Sequence, residues 1–384
     1  MERLTRRGLL SAALAAGVSA CSETATQNPS PAPVPIASAF DEAALRKKIA
    51  SLLIVGFRGE QVTPDDWIMK AIAEQGLGGV ILFDRDQITG GTRNIISPPQ
   101  VTALVKTLAD AAPGRKLLVS IDQEGGQIAR LSPRNGFPAT RSAAEIGAIN
   151  SPDVTREWAA GIAGMVASIG ANVNFTPVVD LASNPDNPAI ARLERSFSDN
   201  PDVVVECATE EVRQHRERGV RTSIKHFPGF GSATGNTDFE VVDISDTWQR
   251  SDLVPFQRLI ANGSTDMVMV AHFLNRQLDP SKPVSLSKAV VTGLLRGELG
   301  WDGVVVTDDM QAVAIKSFGD RDEAVALAFE AGVDLLTMCN QETYDPNVVE
   351  ATVNHVVALV KSGRLTEAQL DRSVARVDAL RPPR

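Results

Sequence analysis

Eight short apolar segments alternate along the chain with longer segments of helical periodicity, and this alternation limits the folds that the sequence can adopt. Each apolar segment is rich in Val, Ile, Leu or Met, as buried strands are. The predicted strands are "SLLIVGF" (51–57), "GGVILF" (78–83), "KLLVSID" (116–122), "NVNFTPVVD" (172–180), "RTSIKH" (221–226), "DMVMVAH" (266–272), "GVVVTDD" (303–309) and "GVDLLTM" (332–338). Continuous apolar strands are typical of parallel sheets that helices cover on both faces. The sequence therefore predicts an α/β fold.

The segments between these strands carry apolar residues at helical spacing. Examples are "PQVTALVKTLADAA", "SPDVTREWAAGIAGMVASIG", "DRDEAVALAFEA" and "TEAQLDRSVARVDAL". Eight β/α units with no linker between them favour a closed (β/α)8 TIM-like barrel, in a single domain over residues 40–384. A doubly wound open sheet is the alternative, but no GxGxxG fingerprint follows the first strand.

The predicted strands end in charged or polar residues. These residues are Asp122, Asp180, Lys225, His226, His272 and Asp308. One such residue alone is explained as a helix cap or a solvated strand end. In a (β/α)8 barrel, however, the carboxyl ends of all strands meet at one face, where the active site lies. We therefore expect a polar pocket at this face.

The first 39 residues are expected to lie outside the fold. Residues 1–20 have a basic start and a short Ala/Leu-rich stretch, which is typical of an export signal and too short to span a bilayer. Arg6-Arg7 resembles a twin-arginine signal, and "VSAC" resembles a bacterial lipobox that would make Cys21 the lipidated first residue. Residues 21–39, rich in Pro, Ser and Ala, then form a flexible tether. An ordinary cleaved signal or an uncleaved anchor is the alternative.

Composition and motifs exclude several classes of function. Aromatic residues make up 5% of the chain and the formal charge is −9, so nucleic acid is not an expected partner. No His/Cys cluster has metal-ligand spacing, and Cys207 and Cys339 form no CxxC motif. GxSxG and P-loop motifs are also absent. Carboxylates surrounded by hydrogen-bonding cations suit sugar chemistry, because a glycosidase needs one carboxylate and one proton donor.

Three motifs, "KHFPGFG", "SIDQEGGQIARL" and "GVVVTDDMQAVA", resemble glycoside hydrolase family 3, in particular its single-domain β-N-acetylglucosaminidases (β-N-acetylhexosaminidases) of cell-wall turnover. The resemblance runs from about residue 45 to 375. It implies a TIM-like barrel, a carbohydrate substrate and no metal or other cofactor. It also implies a retaining mechanism through a covalent glycosyl-enzyme.

The resemblance assigns roles to individual residues. Asp308 of "TDD" would be the nucleophile. The alternative is that Asp308 and Asp309 both cap the following helix, and for Asp309 we expect this cap role. The remaining residues would contact the sugar, with a surface salt bridge or a satisfied core polar group as the alternative for each. They are Asp122, Arg130, Arg195, Lys225 and His226, and His272 is either a site wall or a buried structural histidine.

One position departs from the family pattern. The family's loop after "KHFPG" carries an Asp-x-His pair, whose histidine is the acid/base. The corresponding positions here hold Asn236 and Asp238, and the chain has no histidine between His226 and His272. Asp238 is the candidate acid if burial or a nearby carboxylate raises its pKa. Glu240 is the second candidate, and a turn residue with no proton-transfer role is the third reading. The glycine-rich loop is expected to move as a lid.

These inferences converge on an exported, membrane-anchored lipoprotein facing the periplasm or the cell surface. Its predicted activity is that of a retaining β-N-acetylhexosaminidase, which removes terminal N-acetylglucosamine from cell-wall-derived or chitin-like sugars. The acetamido specificity follows from the resemblance alone, so a glucosidase or xylosidase specificity is an alternative. A carbohydrate-binding lipoprotein with impaired catalysis is another, because the usual acid/base histidine is absent.

Overall fold

The computed structural model describes residues 41–112 and 114–381. The predicted export signal (1–20), the lipidation site Cys21 and the tether (21–39) lie outside the described residues. Among the described helices, none is long and apolar enough to cross a bilayer.

Eight parallel strands form a closed barrel, as the sequence predicts. They are β1 (Leu53–Gly56), β2 (Gly79–Leu82), β3 (Leu118–Ile121), β6 (Val173–Asn174), β7 (Arg221–Phe227), β8 (Met267–Val270), β9 (Val304–Asp309) and β10 (Leu335–Met338). They pair in chain order, and β10 closes the barrel on β1 through the register Leu53↔Leu336. Each overlaps one of the eight predicted apolar segments. The open doubly wound sheet is therefore excluded.

Helices follow the barrel strands around the outside. Their bounds are α1 (Glu42–Ala50), α2 (Trp67–Lys70), α3 (Pro98–Asp110), α4 (Ala143–Ile149), α5 (Pro152–Ser168), α6 (Pro201–Glu217), α7 (Val254–Ala261), α8 (Val313–Phe318), α9 (Arg321–Ala331), α10 (Val348–Lys361) and α11 (Glu367–Leu380). Two π-helical segments, Ala71–Gln75 and Ala289–Glu298, complete the layer. The helix starts follow local rules: Ser97 caps α3 ahead of Pro98, and Ser142 forms a capping box with Glu145 in α4.

The apolar core fills the barrel wall and the inner faces of the helices. Strand residues such as Ile54, Val119 and Val306 are fully buried, as are helix residues such as Val101 and Leu370. A small hairpin interrupts the β/α pattern after β3. It consists of β4 (Gln123–Gly125) and β5 (Ile128–Ala129) and lies at the carboxyl end of the barrel. The hairpin brings residues 122–130 to the face where the strand ends meet.

Candidate active site

A cavity of about 150 Å³, here called the rim cavity, opens at the carboxyl ends of the strands. Its lining residues are Asp122, Glu124, Ile128, Arg130, Ala189, Leu193, Arg195, Lys225, His226, Phe230, Asn236, Thr237, Asp238, Ala271 and Asp308. The structure thus brings together seven of the eight catalytic or substrate-binding residues that the sequence singles out; His272 is the exception. A larger cavity of about 370 Å³ lies between the loop after β2 and Pro133–Asn135, and none of these residues lines it.

Lys225, near the end of β7, is buried between two carboxylates. Its Nζ donates to Asp122 Oδ1 at 2.8 Å and lies 2.7 Å from Glu124 Oε1. Although burial opposes the charged form, Asp122 and Glu124 raise the pKa of Lys225 above its ordinary value. Lys225 is therefore a fixed cation. Asp122 Oδ2 faces Arg130 at 3.9 Å, and the Arg130 guanidinium lies over the Phe83 ring at 5.3 Å.

Arg195 makes a two-pronged contact with Glu124. Its Nε donates to Oε2 and its Nη2 to Oε1, both at 2.8 Å, while Nη1 donates to the carbonyl of Ala189 at 2.8 Å. Burial by itself would raise the pKa of Glu124, but Arg195 and Lys225 hold it well below its usual range. Glu124 is thus an ionised carboxylate between two cations.

His226 is oriented by Asp180, which follows β6 and is fully buried. His226 Nδ1 lies 2.6 Å from Asp180 Oδ2, and the backbone amides of His226 and Phe230 also donate to this carboxylate. The other ring nitrogen, Nε2, lies 3.3 Å from Arg195 Nη2. A ring that bonds a carboxylate through Nδ1 presents Nε2 to the rim cavity.

Asp308 lies in β9, one residue before the strand ends, and its Oδ1 accepts the backbone amide of Asp309 at 2.9 Å. Burial by itself would raise the pKa of Asp308. The neighbouring His226, His272 and Lys225 outweigh burial and lower that pKa below its ordinary value. Asp308 is therefore an ionised carboxylate that faces the rim cavity.

His272 does not line the rim cavity. It is 1% exposed, and its Nδ1 lies 2.7 Å from Ser285 Oγ. Burial lowers the pKa of His272, while the carboxylate and backbone of Asp308 act against this shift. Of the two alternatives from the sequence, the structure favours the buried structural histidine, because the ring has no surface through which to contact a sugar.

The expected cap role of Asp309 is wrong. Its Oδ1 accepts the backbone amides of Gln311 and Cys339, each at 3.0 Å, and α8 begins without a side-chain cap. The carbonyls of Thr237 and Asp238 instead accept the amides of Ala314 and Val313 in the first turn of α8. The prediction considered only a side chain close to the helix start in the sequence. The groups that accept the first amides of α8 are backbone carbonyls of a loop about 75 residues earlier.

These two bonds fasten the loop of residues 229–241, which carries Asp238, to α8 at the rim cavity. The Asp238 amide also donates to Asn236 Oδ1 at 3.0 Å. Gly231 is required at the base of the loop, because a Cβ there would collide with the carbonyl of Leu181. Asp238 of this loop and Asp308 of β9 line the same rim cavity, and movement of the loop as a lid stays a prediction.

Asp238 has the pKa shift that a proton donor needs. Burial, together with the charges of Asp308 and Asp309, raises the pKa of Asp238 to about 7, although Arg195 and His226 act in the opposite direction. Glu240, the rival candidate, is exposed and does not line the rim cavity. Its Oε1 instead accepts the backbone amide of Asn236 at 3.4 Å. The geometry favours Asp238 as the acid.

Glu342, in the loop after β10, adds a further carboxyl near Asp238. Burial and the charge of Asp238 raise the pKa of Glu342 to about 7. Lys316 of α8 lies 3.7 Å from Glu342 Oε2 and donates to Thr343 Oγ1 at 2.8 Å. Asp238 therefore interacts with carboxyl groups from one strand end, Asp308 and Asp309 of β9, and from one loop, Glu342.

The sequence analysis assigned no role to Glu124, Asp180 or Glu342. Glu124 lies within the motif "DQEGG", two residues after Asp122, so its position was a usable signal. Asp180 was recognised only as a strand end. Glu342 has no local signal, because it interacts with Asp238 only when the loops after β7 and β10 meet in the folded barrel. Within residues 41–112 and 114–381, no group of three or more His, Cys, Asp or Glu side chains is arranged to hold a metal ion.

Comparison with known proteins identifies related sequences. The family profile described as "Glycosyl hydrolase family 3 N terminal domain" matches residues 44–380. Beta-hexosaminidase A of Pseudoalteromonas piscicida is 32% identical over 347 residues, which cover 84% of this chain and 56% of that protein. An "Uncharacterized secreted glycosyl hydrolase" of Arthroderma benhamiae is 32% identical over 325 residues, covering 83% of this chain and 88% of that protein.

Solved structures give the same comparison in three dimensions. A glycoside hydrolase family 3 beta-N-acetylglucosaminidase from Paenibacillus superposes with a TM-score of 0.79 at 36% identity, covering 88% of this chain and 62% of that one. Beta-N-acetylhexosaminidase from Beutenbergia cavernae superposes with a TM-score of 0.77 at 30% identity, covering 88% and 98% of the two chains. The chain thus spans little more than half of some relatives and nearly all of others.

Proposed function

The chain belongs to glycosyl hydrolase family 3, and on this premise we propose that it is a retaining β-N-acetylhexosaminidase. Its proposed reaction removes terminal N-acetylglucosamine from cell-wall-derived or chitin-like sugars. The observation that supports the proposal most strongly is one pair of carboxyl groups in the rim cavity. Asp308 is ionised, whereas the raised pKa of Asp238 keeps a proton on it up to about neutral pH. Retaining glycosidases need this pair of opposite protonation states.

In the first step, Asp308 attacks the anomeric carbon and the bond from that carbon to the leaving oxygen breaks. Asp238 donates its proton to this oxygen as the bond breaks, so the leaving group departs as a neutral alcohol. A covalent glycosyl-Asp308 ester results. Its formation requires Asp308 to be charged, and the lowered pKa of Asp308 meets this requirement.

In the second step, water replaces the leaving group. Asp238, now a carboxylate, accepts a proton from the water as the water oxygen attacks the anomeric carbon and the ester bond to Asp308 breaks. Two successive inversions give net retention of the β configuration. Both carboxyl groups return to their starting protonation states.

The other cavity residues hold the sugar during both steps. Lys225 and Arg195 are fixed donors, and His226 presents Nε2 to the cavity. One oxygen of Asp122 is occupied by Lys225 and the other faces the guanidinium of Arg130, so this second oxygen is placed to accept sugar hydroxyls. These contacts explain recognition of a polyhydroxylated ring. The acetamido preference is supported by the names of the relatives, not by a contact in the cavity.

A carbohydrate-binding protein with impaired catalysis is the second candidate, and the missing acid/base histidine favours it. Against it, a binding protein does not require a nucleophile beside a protonated carboxyl.

A panel of aryl β-glycosides tests the proposed function. We expect turnover of the N-acetylglucosaminide to exceed that of the glucoside and the xyloside by ~100-fold, the discrimination that one well-placed substituent can provide. Initial rates measured at pH 6 give the comparison. Faster turnover of the glucoside or the xyloside would contradict the proposed acetamido specificity in favour of that sugar. No turnover of any glycoside in the panel would favour a carbohydrate-binding protein with impaired catalysis.

We also propose that residues 1–20 are an export signal, that Cys21 is lipidated, that residues 21–39 are a tether and that residues 40–384 form the catalytic domain. The twin-arginine-like pair, the lipobox-like "VSAC" and the description of one relative as secreted support export. In a bacterial host fed a labelled fatty acid, the wild type should incorporate label and sediment with membranes. Cys21→Ala should lose both properties, while Cys207→Ala should keep them, and equal labelling of all three proteins would contradict the anchor.

A further inference from the structure

Glu124 contacts two of the cations that line the rim cavity. Its Oε1 lies 2.7 Å from Lys225 Nζ and accepts Arg195 Nη2 at 2.8 Å, and its Oε2 accepts Arg195 Nε at 2.8 Å. The side chain is 4% exposed. Three charge-assisted hydrogen bonds from two cations therefore converge on one buried carboxylate.

The backbone around Glu124 is held firmly. The preceding residue, Gln123, exchanges two hydrogen bonds with Asn174 of β6, each at 2.9 Å. The Gln123 side chain bonds both backbone groups of Leu131, at 2.8 and 3.1 Å, and so joins the two sides of the β4–β5 hairpin. A carboxylate on such a backbone fixes whatever binds to it.

The charges around this cluster depend on Glu124. Asp122 and Glu124 balance Lys225 and Arg195. The nearby Glu211 of α6 contributes no charge near neutral pH, because burial raises its pKa to about 8. Without the Glu124 charge, Lys225 would keep its hydrogen bond to Asp122. Arg195 would lose both of its hydrogen bonds to a carboxylate and keep only the weaker attraction of Asp180 and Asp122. Repulsion between the two buried cations would then move Arg195 away from its present position.

We propose that Glu124 is a positioning residue for substrate recognition: it aims Lys225 and Arg195 at the hydroxyl groups of the bound sugar. The role rests on the proposed glycosidase function. Glu124 acts through the two cations, because its oxygens already accept three charge-assisted hydrogen bonds from them. Selectivity for a fully hydroxylated sugar is thereby set by a residue that acts on the sugar through Lys225 and Arg195.

Deoxy analogues of the substrate test the proposal. For the wild type, removing the hydroxyl that Lys225 or Arg195 contacts should lower kcat/KM by ~10- to 100-fold, the effect of a hydrogen bond to a charged group. We expect this loss for at least one of the 3-, 4- and 6-deoxy glycosides. In Glu124→Gln, kcat/KM for the parent glycoside should fall. The ratio of kcat/KM for the parent to kcat/KM for the deoxy analogue should also fall, to ~3-fold or less. A purely structural role would lower the fraction of folded enzyme and leave that ratio unchanged.

Two further variants keep the test decisive. Glu124→Asp keeps the charge but shortens the side chain, so it should fold and still show a reduced ratio of kcat/KM between the parent glycoside and its deoxy analogue. It replaces Glu124→Gln if thermal unfolding shows that Glu124→Gln is not folded. Asp334→Asn is the matched control: Asp334 is fully buried against Arg296 and Arg376 ahead of β10, at the opposite end of the barrel. Asp334→Asn should be less stable than the wild type and keep the wild-type ratio of kcat/KM between the parent glycoside and its deoxy analogue.

The outcomes separate this proposal from the proposed function. An unchanged deoxy ratio in a folded Glu124 variant of an active enzyme overturns the positioning role. Absence of glycoside turnover by the wild type overturns the proposed function, and the positioning role with it.

Discussion

Replacing Asp308 by asparagine should lower kcat on an aryl N-acetyl-β-glucosaminide by ~10⁴-fold, which corresponds to about 5 kcal/mol of transition-state stabilisation. Asparagine keeps the shape of the side chain but cannot form the glycosyl ester or meet the positive charge that develops at the anomeric carbon. The variant should fold, because the only hydrogen bond that the described structure gives the Asp308 carboxylate is with the Asp309 amide, which an asparagine oxygen can also accept. Steady-state kinetics and a thermal unfolding curve measure the two effects.

A slow-reacting fluorosugar identifies the nucleophile directly. Peptide mass spectrometry should find one sugar on the peptide that contains Asp308 in the wild type and none in Asp308→Asn. Asp309→Asn is the matched control: the Asp309 oxygen that bonds Gln311 and Cys339 is retained in asparagine, so labelling of Asp308 should persist. Loss of the Asp309 charge lowers the pKa of Asp238, so turnover should persist below neutral pH and fall at a lower pH than in the wild type. A label on another carboxylate, or undiminished activity of Asp308→Asn, would contradict the assigned nucleophile.

Replacing Asp238 by alanine should lower kcat/KM on a natural disaccharide by ~10²- to 10⁴-fold, the usual contribution of a general acid. An aryl glycoside with a strongly acidic phenol needs no protonation to depart, so its glycosylation step should change little. Glu240→Ala is the matched control from the same loop, because its side chain does not line the rim cavity. Equal losses on both substrates in Asp238→Ala, or a loss with the disaccharide only in Glu240→Ala, would reject Asp238 as the acid.

The raised pKa of Asp238 leads us to expect that kcat/KM depends on pH. Asp238 must be protonated to act, and its pKa is raised to about 7, so kcat/KM on the disaccharide should fall as the pH rises through about 7. This limb should be absent from Asp238→Ala. Glu342→Gln removes a nearby negative charge, which lowers the pKa of Asp238 and should move the limb to lower pH. A limb that stays in place would exclude Glu342 as a cause of the Asp238 shift.

The strand count and the location of the site were predictable because both depend on local patterns. The apolar segments that became β1 and β9 are recognisable within a few residues, and a barrel gathers strand ends at one face whatever its loops do. Asp122, Lys225 and Asp308 therefore reached the rim cavity as expected. The start of α8 was mispredicted because its amides bind carbonyls from the loop at Thr237 and Asp238 rather than Asp309.

By itself the sequence determined which chemical groups stand at the carboxyl face, and its resemblance to the family predicts a carboxyl, Asp238, in place of the usual acid/base histidine. Only the tertiary structure decided which of those groups contact one another and which way their pKa values shift. Glu124 is far from Arg195 and Lys225 in the chain yet binds both, and the opposite pKa shifts of Asp238 and Asp308 arise from burial and from charges that other parts of the chain supply. Protonation depends on the surrounding charges and the loss of water, and both exist only once the barrel has closed.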